Sequence, residues 1–314
     1  MAQPADTFSS YDAVGNREDL ANIIYDISPT DTPFMNGIAK NTASATFHEW
    51  QTDSLAAASA TNAVIEGDDA TTDASTATAR LGNYTQISDK VPRVTGTQRA
   101  TDSAGRADEF AYQIMKRGKE LKRDVESSLL ANNARVAGND TTAREAAGVE
   151  SWLATNTSRA GDGADPTGDG TDAATDGTQR AFTETQLKEV LRECWDAGGN
   201  PDMIMVGAFN KQQLSAFSGN ATRTIESGEK KLVNAIDVYV GDYGDLAVVP
   251  NRFMRSRSAL VLEMDMWAMS VLRDFQEFDL AKTGDTDRKQ LLIEYTLESR
   301  NEAASGIIAD LTTS

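Results

Sequence analysis

Two alternating segments flank a stretch that can pack on almost nothing. Residues 45–52, ATFHEWQT, alternate as a β-strand does, and RLGNYTQISDKVPRVTG, beginning at Arg80, alternates again. Between them residues 56–79 read AAASATNAVIEGDDATTDASTATA, with Val64 and Ile65 as the only large apolar side chains. Strand, long polar tip, strand describes a two-stranded arm with little core of its own, and such an arm is marginal alone in water. Whatever this chain folds into must hold the arm from outside it.

The rest of the chain has material for real cores. Its 314 residues leave room for about two domains, and 39% of them are apolar. REDLANIIYDI places Leu20, Ile23, Ile24 and Ile27 at helical spacing, and the prolines of SPTDTPF stop that helix. From 105 to 137, Phe110, Ile114, Gly118, Leu121, Val125, Leu129, Asn132 and Val136 recur every three or four residues, with Asp108 and Glu109 near the start and Gly138 past the end. That pattern predicts one helix of about 50 Å at 1.5 Å per residue. Gly118 on its apolar stripe costs about 1 kcal/mol relative to alanine, which implies either close approach of another backbone or a helix that must bend.

Residues 157–179, TSRAGDGADPTGDGTDAATDGTQ, show no periodicity, and their aspartates match no EF-hand or nonapeptide calcium spacing. The expectation is a solvated insertion that could be shortened without loss of the fold. Thr183 and Gln186 then form a capping-box pattern, followed by Leu187, Val190, Leu191, Cys194 and Trp195 on one helical face and a stop at Gly198-Gly199. MIMVGAF reads as a buried strand, and Asn210 with Gln213 as the cap of another helix. Strands dominate the remainder: IDVYV, DLAVV, ALVLEMDMW and RKQLLIEYTLES, the last with Leu291, Ile293, Tyr295 and Leu297 on one face. The class is α+β.

Composition narrows the function. A net charge of −18 argues against gripping nucleic acid through a basic face. Asp outnumbers Glu and Arg outnumbers Lys, a bias that fits either a soluble acidic surface or adaptation to salt. No secretory pattern opens the chain, which predicts a cytoplasmic protein, and its longest apolar-rich run is interrupted by Glu263 and Asp265, so no membrane segment is expected. One cysteine excludes an intrachain disulfide framework. Cys194, beside apolar neighbours, reads as an inert small hydrophobe. The sole histidine, His48, lies in a strand pattern, and no phosphate-binding, zinc-protease or nucleophile-elbow motif occurs. No enzyme, cofactor or metal site is expected.

The order of parts resembles the major capsid proteins of tailed double-stranded-DNA bacteriophages, whose fold is shared with herpesvirus capsid floors and encapsulin shells. The residues that carry the resemblance are REDLANIIYDISPTDTPFMNGIAK, SATFHEWQTDSLAAA with NAVIEGDDA after it, and LAKTGDTDRKQLLIEYTLESRNEAASGIIADL. It implies an N-terminal arm (1–44), an extension loop that is a β-hairpin (45–98), a peripheral domain with a spine helix (99–156), the acidic insertion (157–181), an axial domain (182–264), and strands returning to the peripheral domain together with the C-terminus (265–314). By this resemblance the extension loop, through Phe47, His48, Trp50 and Leu55, and the arm, through Leu20, Ile23 and Ile24, would lie on neighbouring copies. Phe110, Ile114, Gly118, Leu121 and Val125 would line the spine helix. Copies would close into hexamers and pentamers of an icosahedral head around packaged DNA bound without sequence specificity, assembled in host cytoplasm with a portal protein, a separate scaffolding protein and possible cement proteins. Relatives that weld their shells use a lysine in the extension loop; this chain has none between Lys40 and Lys90. An encapsulin-like compartment shell is the alternative, and a calcium-binding surface protein, resting on the aspartate-rich insertion, is a third reading.

Overall fold

The computed structural model describes residues 30–69, 75, 77–101, 108–217 and 237–314. A short helix, α1 (Pro33–Gly37), leads into β1 (Ala39–Thr42), and β2 (Phe47–Thr52) and β3 (Ala79–Tyr84) form a separate two-stranded hairpin. Next come β4 (Gln86–Lys90), β5 (Arg93–Thr95), α2 (Gly96–Ala100) and the long α3 (Glu109–Leu129). The first sheet runs β1-β11-β12-β4, with β5 also on β12; its long pair is β11 (Trp267–Asp279) against β12 (Thr286–Ser299), antiparallel, while β1 joins β11 in parallel. Alternation along β12 is the reason for its placement: Leu291, Ile293, Tyr295 and Leu297 enter the larger core, where Leu121, Val125 and Leu129 of α3 meet them.

The second sheet runs β6-β13-β10-β7-β9-β8, with β6 (Thr157–Ser158), β7 (Met203–Val206), β8 (Val238–Gly241), β9 (Gly244–Pro250), β10 (Ala259–Leu262) and β13 (Gly306–Ile308). Both its faces are covered, so β10 reads ALVL without a polar residue. Leu260 and Leu262 face the larger core shared with the first sheet, and Ala259 and Val261 face a second core beneath α4 (Glu184–Asp196). After β12 the chain leaves the first sheet, and its last strand, β13, belongs to this one.

α3 is shorter than its periodicity suggests. Asp108 caps its start, its carboxylate accepting from the Phe110 amide at 2.9 Å, but the helix stops at Leu129, about 31 Å from its beginning. Asn132 and Asn133 turn their side chains onto the backbone of Ala174 and Ala146 (2.8 and 2.6 Å), offering the chain an alternative to helix. Gly138, at φ +71°, serves the turn between Val136 and Glu145, which pair with each other. It does not cap the helix.

The aspartate-rich segment is also not the solvated insertion its composition suggests. Its first residues form β6, Ala164 pairs with Thr175, and Pro166, Gly170 and Ala174 are buried. Gly170, at φ +76°, leaves no room for a side chain: a Cβ there would lie 2.8 Å from the Trp152 ring. Asp310, fully buried at φ +60°, accepts from the Ala160 and Gly177 amides (3.1 and 2.8 Å) and from Arg257 (2.8 Å), while Asp176 takes Arg255 at 2.5 Å. Bonds to charged groups contribute about 1.5–3 kcal/mol each. The segment is docked by them.

At α4 the capping box of Thr183 and Gln186 is present and Gly198, at φ +90°, ends the helix. Leu187, Val190, Leu191 and Cys194 are buried, but Trp195 turns outward and stacks on Tyr243 at 5.5 Å. Burial pushes the Cys194 thiol up to about 12. α5 (Ala208–Ser215) begins at Gly207 without a side-chain cap, three residues before the Asn210 that the sequence offers as one; Asn210 is buried inside the helix and donates to the Ser256 carbonyl at 2.9 Å.

Candidate subunit-contact site

The hairpin of β2 and β3 carries two different environments. Six residue pairs, from Phe47 with Tyr84 to Thr52 with Ala79, zip its root. Beyond them the described tip residues are exposed, Leu55 at 99%, Val64 at 85% and Ile65 at 77%. Nothing in the described subunit shields these three side chains.

The root is fixed to its own subunit. Trp50 packs on the fully buried Trp152 with ring centroids 5.4 Å apart. Asn83, also fully buried, donates to the carbonyls of Leu297 (2.9 Å) and Ala147 (3.3 Å) and accepts from the Ala147 amide (2.9 Å). Arg135 lies over the Phe47 ring at 5.3 Å and bonds the Gly82 carbonyl, and a Cβ at Gly82 would meet that ring at 2.7 Å. His48 Nε2 stands 3.4 Å from Glu298, whose carboxylate also accepts from Asn41 and Ser270 (both 3.0 Å) and from Arg300 (3.3 Å). Burial alone would push the Glu298 carboxyl up; bonds from Asn41, Ser270, His48 and Arg300 outweigh it and hold the group below its ordinary range.

Phe47, His48 and Trp50 are half-buried in their own subunit, because the polar inward position Asn83 and the unpatterned Trp152 supply a dock that no periodicity announces, and each keeps part of its surface open. Leu55 stands bare. Leu20, Ile23 and Ile24 lie outside the described residues. Of the helix residues, Leu121 and Val125 are buried, Phe110 and Ile114 are half-buried with Arg99 5.4 Å from the Phe110 ring centroid, and nothing lies within 4 Å of a Cβ built on Gly118. Close packing inside the described subunit is therefore not why residue 118 is glycine.

Sequence reading also passed over Glu126. It is buried on α3 and accepts from the amides of Phe34 (2.8 Å) and Met35 (2.7 Å) and from Asn251 (2.7 Å), which ties the start of α1 to the loop after β9. Desolvation raises its carboxyl above the usual range, against those three bonds.

Among the described residues no group of three or more His, Cys, Asp or Glu side chains is placed to hold a metal, and no helix is long and apolar enough to cross a membrane. What the geometry offers is mechanical: an arm fixed at its base, whose polar tip carries Leu55, Val64 and Ile65 uncovered.

The chain is similar to known capsid proteins. The major capsid protein of Escherichia phage Phieco32 is 29% identical over 344 aligned positions that take in 98% of this chain and 97% of that one. A solved chain of the Cyanophage A-1(L) capsid asymmetric unit superposes with a TM-score of 0.68 at 12% identity, covering 98% and 99% of the two chains. A chain of the capsid of a native GTA particle gives 0.63 at 12% identity over 96% and 98%. The fold is thus that of tailed-phage major capsid proteins, and phage relatives set aside the encapsulin-like compartment. The family model of the SU10 major capsid protein matches residues 5–312, and the chain belongs to that family of structural capsid proteins.

Proposed function

We propose that copies of this major capsid protein close through their extension tips into hexamers and pentamers of an icosahedral head that encloses double-stranded DNA. The observation that carries this reading is the split hairpin: its root is locked to its own body while Leu55, Val64 and Ile65 project uncovered. A rigid projecting arm that covers a different patch on the next copy makes a head-to-tail contact, and such contacts close rings when the rotation fits. The acidic balance supports a wall that confines DNA without binding its phosphates. A portal protein and a separate scaffolding protein complete this picture, with cement proteins as possible additions and the host cytoplasm as the place of assembly. Electron microscopy of the chain expressed with its neighbouring phage genes tests it: closed shells with five- and six-fold capsomers are expected, and a persistent monomer across salt conditions contradicts the reading.

A further inference from the structure

Three polar side chains on one face of the second sheet are buried without closing on one another. Register places two of them. Ser158 of β6 sits beside Ile308 of β13, and Ile308 beside Ala259 of β10, so the pairing continued by one residue puts Arg159, Ala309 and Ser258 in one row. Two strand spacings separate the ends of that row, about 10 Å. Ile308 and Ala259 face the core beneath α4, and alternation turns the next row to the opposite face, where Ala309 belongs to the larger core. The turn that carries Glu150, Val149–Ser151, covers this face, with Val149 in the same core. Glu150 and Arg159 are charged and dry there, their side chains 1% and 4% exposed. Arg255 donates to Glu150 Oε2 at 2.5 Å, and Arg159 Nε donates to Asp165 at 2.6 Å. The other Glu150 oxygen, both Nη groups of Arg159 and the Ser258 hydroxyl bond no protein group. Burial pushes the Glu150 carboxyl up, and Arg255, Ser258 and Arg159 act against it, so Ser258 and Arg159 face the carboxylate although neither closes a direct bond to it.

We propose that an internal water bridges Glu150 Oε1, the Ser258 hydroxyl and the Arg159 guanidinium. Water is the ligand whose chemistry fits all three: it donates to the carboxylate and to the hydroxyl oxygen and accepts from an Arg159 N–H, a set of partners typical of buried water. An anion in that place meets the Glu150 carboxylate, and a cation meets Arg159 and Arg255. The short side chain of Ala309, between Arg159 and Ser258 in the row, leaves room on this face. Buried charged groups are rarely left with unmet bonds, because each unmet bond carries its full desolvation cost. The bridge joins the turn 149–151, the end of β6 and the start of β10, so the aspartate-rich segment is anchored at its first residues through water as well as through Asp310 and Asp176. It belongs to the subunit and holds whether or not copies assemble.

A density map of the unaltered full chain, at a resolution that shows ordered water, tests the proposal. A peak about 2.6–3.2 Å from Glu150 Oε1, from an Arg159 Nη atom and from Ser258 Oγ is expected. No peak, a direct Arg159–Glu150 ion pair, or a halide peak identified by anomalous scattering overturns it. Magnetic relaxation dispersion of the solvent oxygen, recorded on the dissociated subunit, counts long-lived internal waters independently of any map. Ala309→Val, shown to be folded by circular dichroism, fills the space between Arg159 and Ser258 and is expected to lose a long-lived water relative to the parent chain. An unchanged count in the folded variant overturns the proposal, and if the variant does not fold the map of the unaltered chain decides.

Discussion

Trp50, on the first strand of the arm, lies against Trp152 of the body with ring centroids 5.4 Å apart and planes inclined by 48°. That one contact changes what the arm is. A hairpin that found all its burial on a neighbour would be loose in the free subunit; this one packs on the subunit's own core through Trp50 and Leu81, and its strand pairing runs on to Thr52 and Ala79. Trp152→Ala is expected to cost about 3–5 kcal/mol as a fully buried indole is lost, and Trp50→Ala about 2 kcal/mol because it is only half-buried and the aromatic pair adds about 1. Urea unfolding of the dissociated subunit checks both. An unchanged midpoint for Trp50→Ala would put its burial on another copy after all.

Acid should loosen the same root. Glu298 is held below the ordinary carboxyl range in the folded chain, so its contribution to stability is full above the unfolded value and is lost as pH falls through the lower folded one. Fluorescence of Trp50 followed on acidification should show a transition that Glu298→Gln, which removes the titrating group, flattens. An identical acid limb in that variant would place the transition elsewhere.

Asp310 is expected to be worth more than a surface aspartate. Replacing it with alanine strands Arg257, leaves the Ala160 and Gly177 amides without their acceptor and forces a left-handed φ on a residue with no side-chain hydrogen bond to support it. Loss of one partner from a buried ion pair costs about 3–5 kcal/mol. Thermal melting checks it, and deletion of residues 162–176 should destabilise the subunit likewise. A deletion variant that melts like the parent chain would show the segment to be dispensable.

Ionic strength should matter to the assembled shell more than to the subunit. With a net charge of −18 per copy, unscreened carboxylates repel across contacts when salt is removed. Light scattering on dilution into low-salt buffer should show loosening or dissociation, and shells equally stable there would leave the acidic bias as a matter of solubility alone.

How much of this could be read from the residues divides along a physical line. Where local pattern decides structure, the reading held: Thr183 and Gln186 form their capping box, Gly198 ends α4, and Leu291 to Leu297 alternate into the core. Distant partners decided the rest. Asn132 and Asn133 break the helical periodicity because they bond Ala174 and Ala146, and the aspartate-rich segment is ordered by Asp310, Arg255 and Arg257, some 80 to 150 residues along the chain. Trp195 continues a helical apolar run yet turns outward, since the face it occupies ends at Cys194. In the arm, alternation revealed the two strands but not Asn83, whose partners at Ala147 and Leu297 lie 64 and 214 positions away.

The central claim, a locked root with a tip that binds the next copy, is tested most directly by replacing Leu55, Val64 and Ile65 together with serine. All three are exposed in the subunit, so the account predicts an unchanged melting temperature of the dissociated chain and loss of capsomers and shells by electron microscopy and light scattering. Shells of normal yield and stability from the triple variant would contradict it.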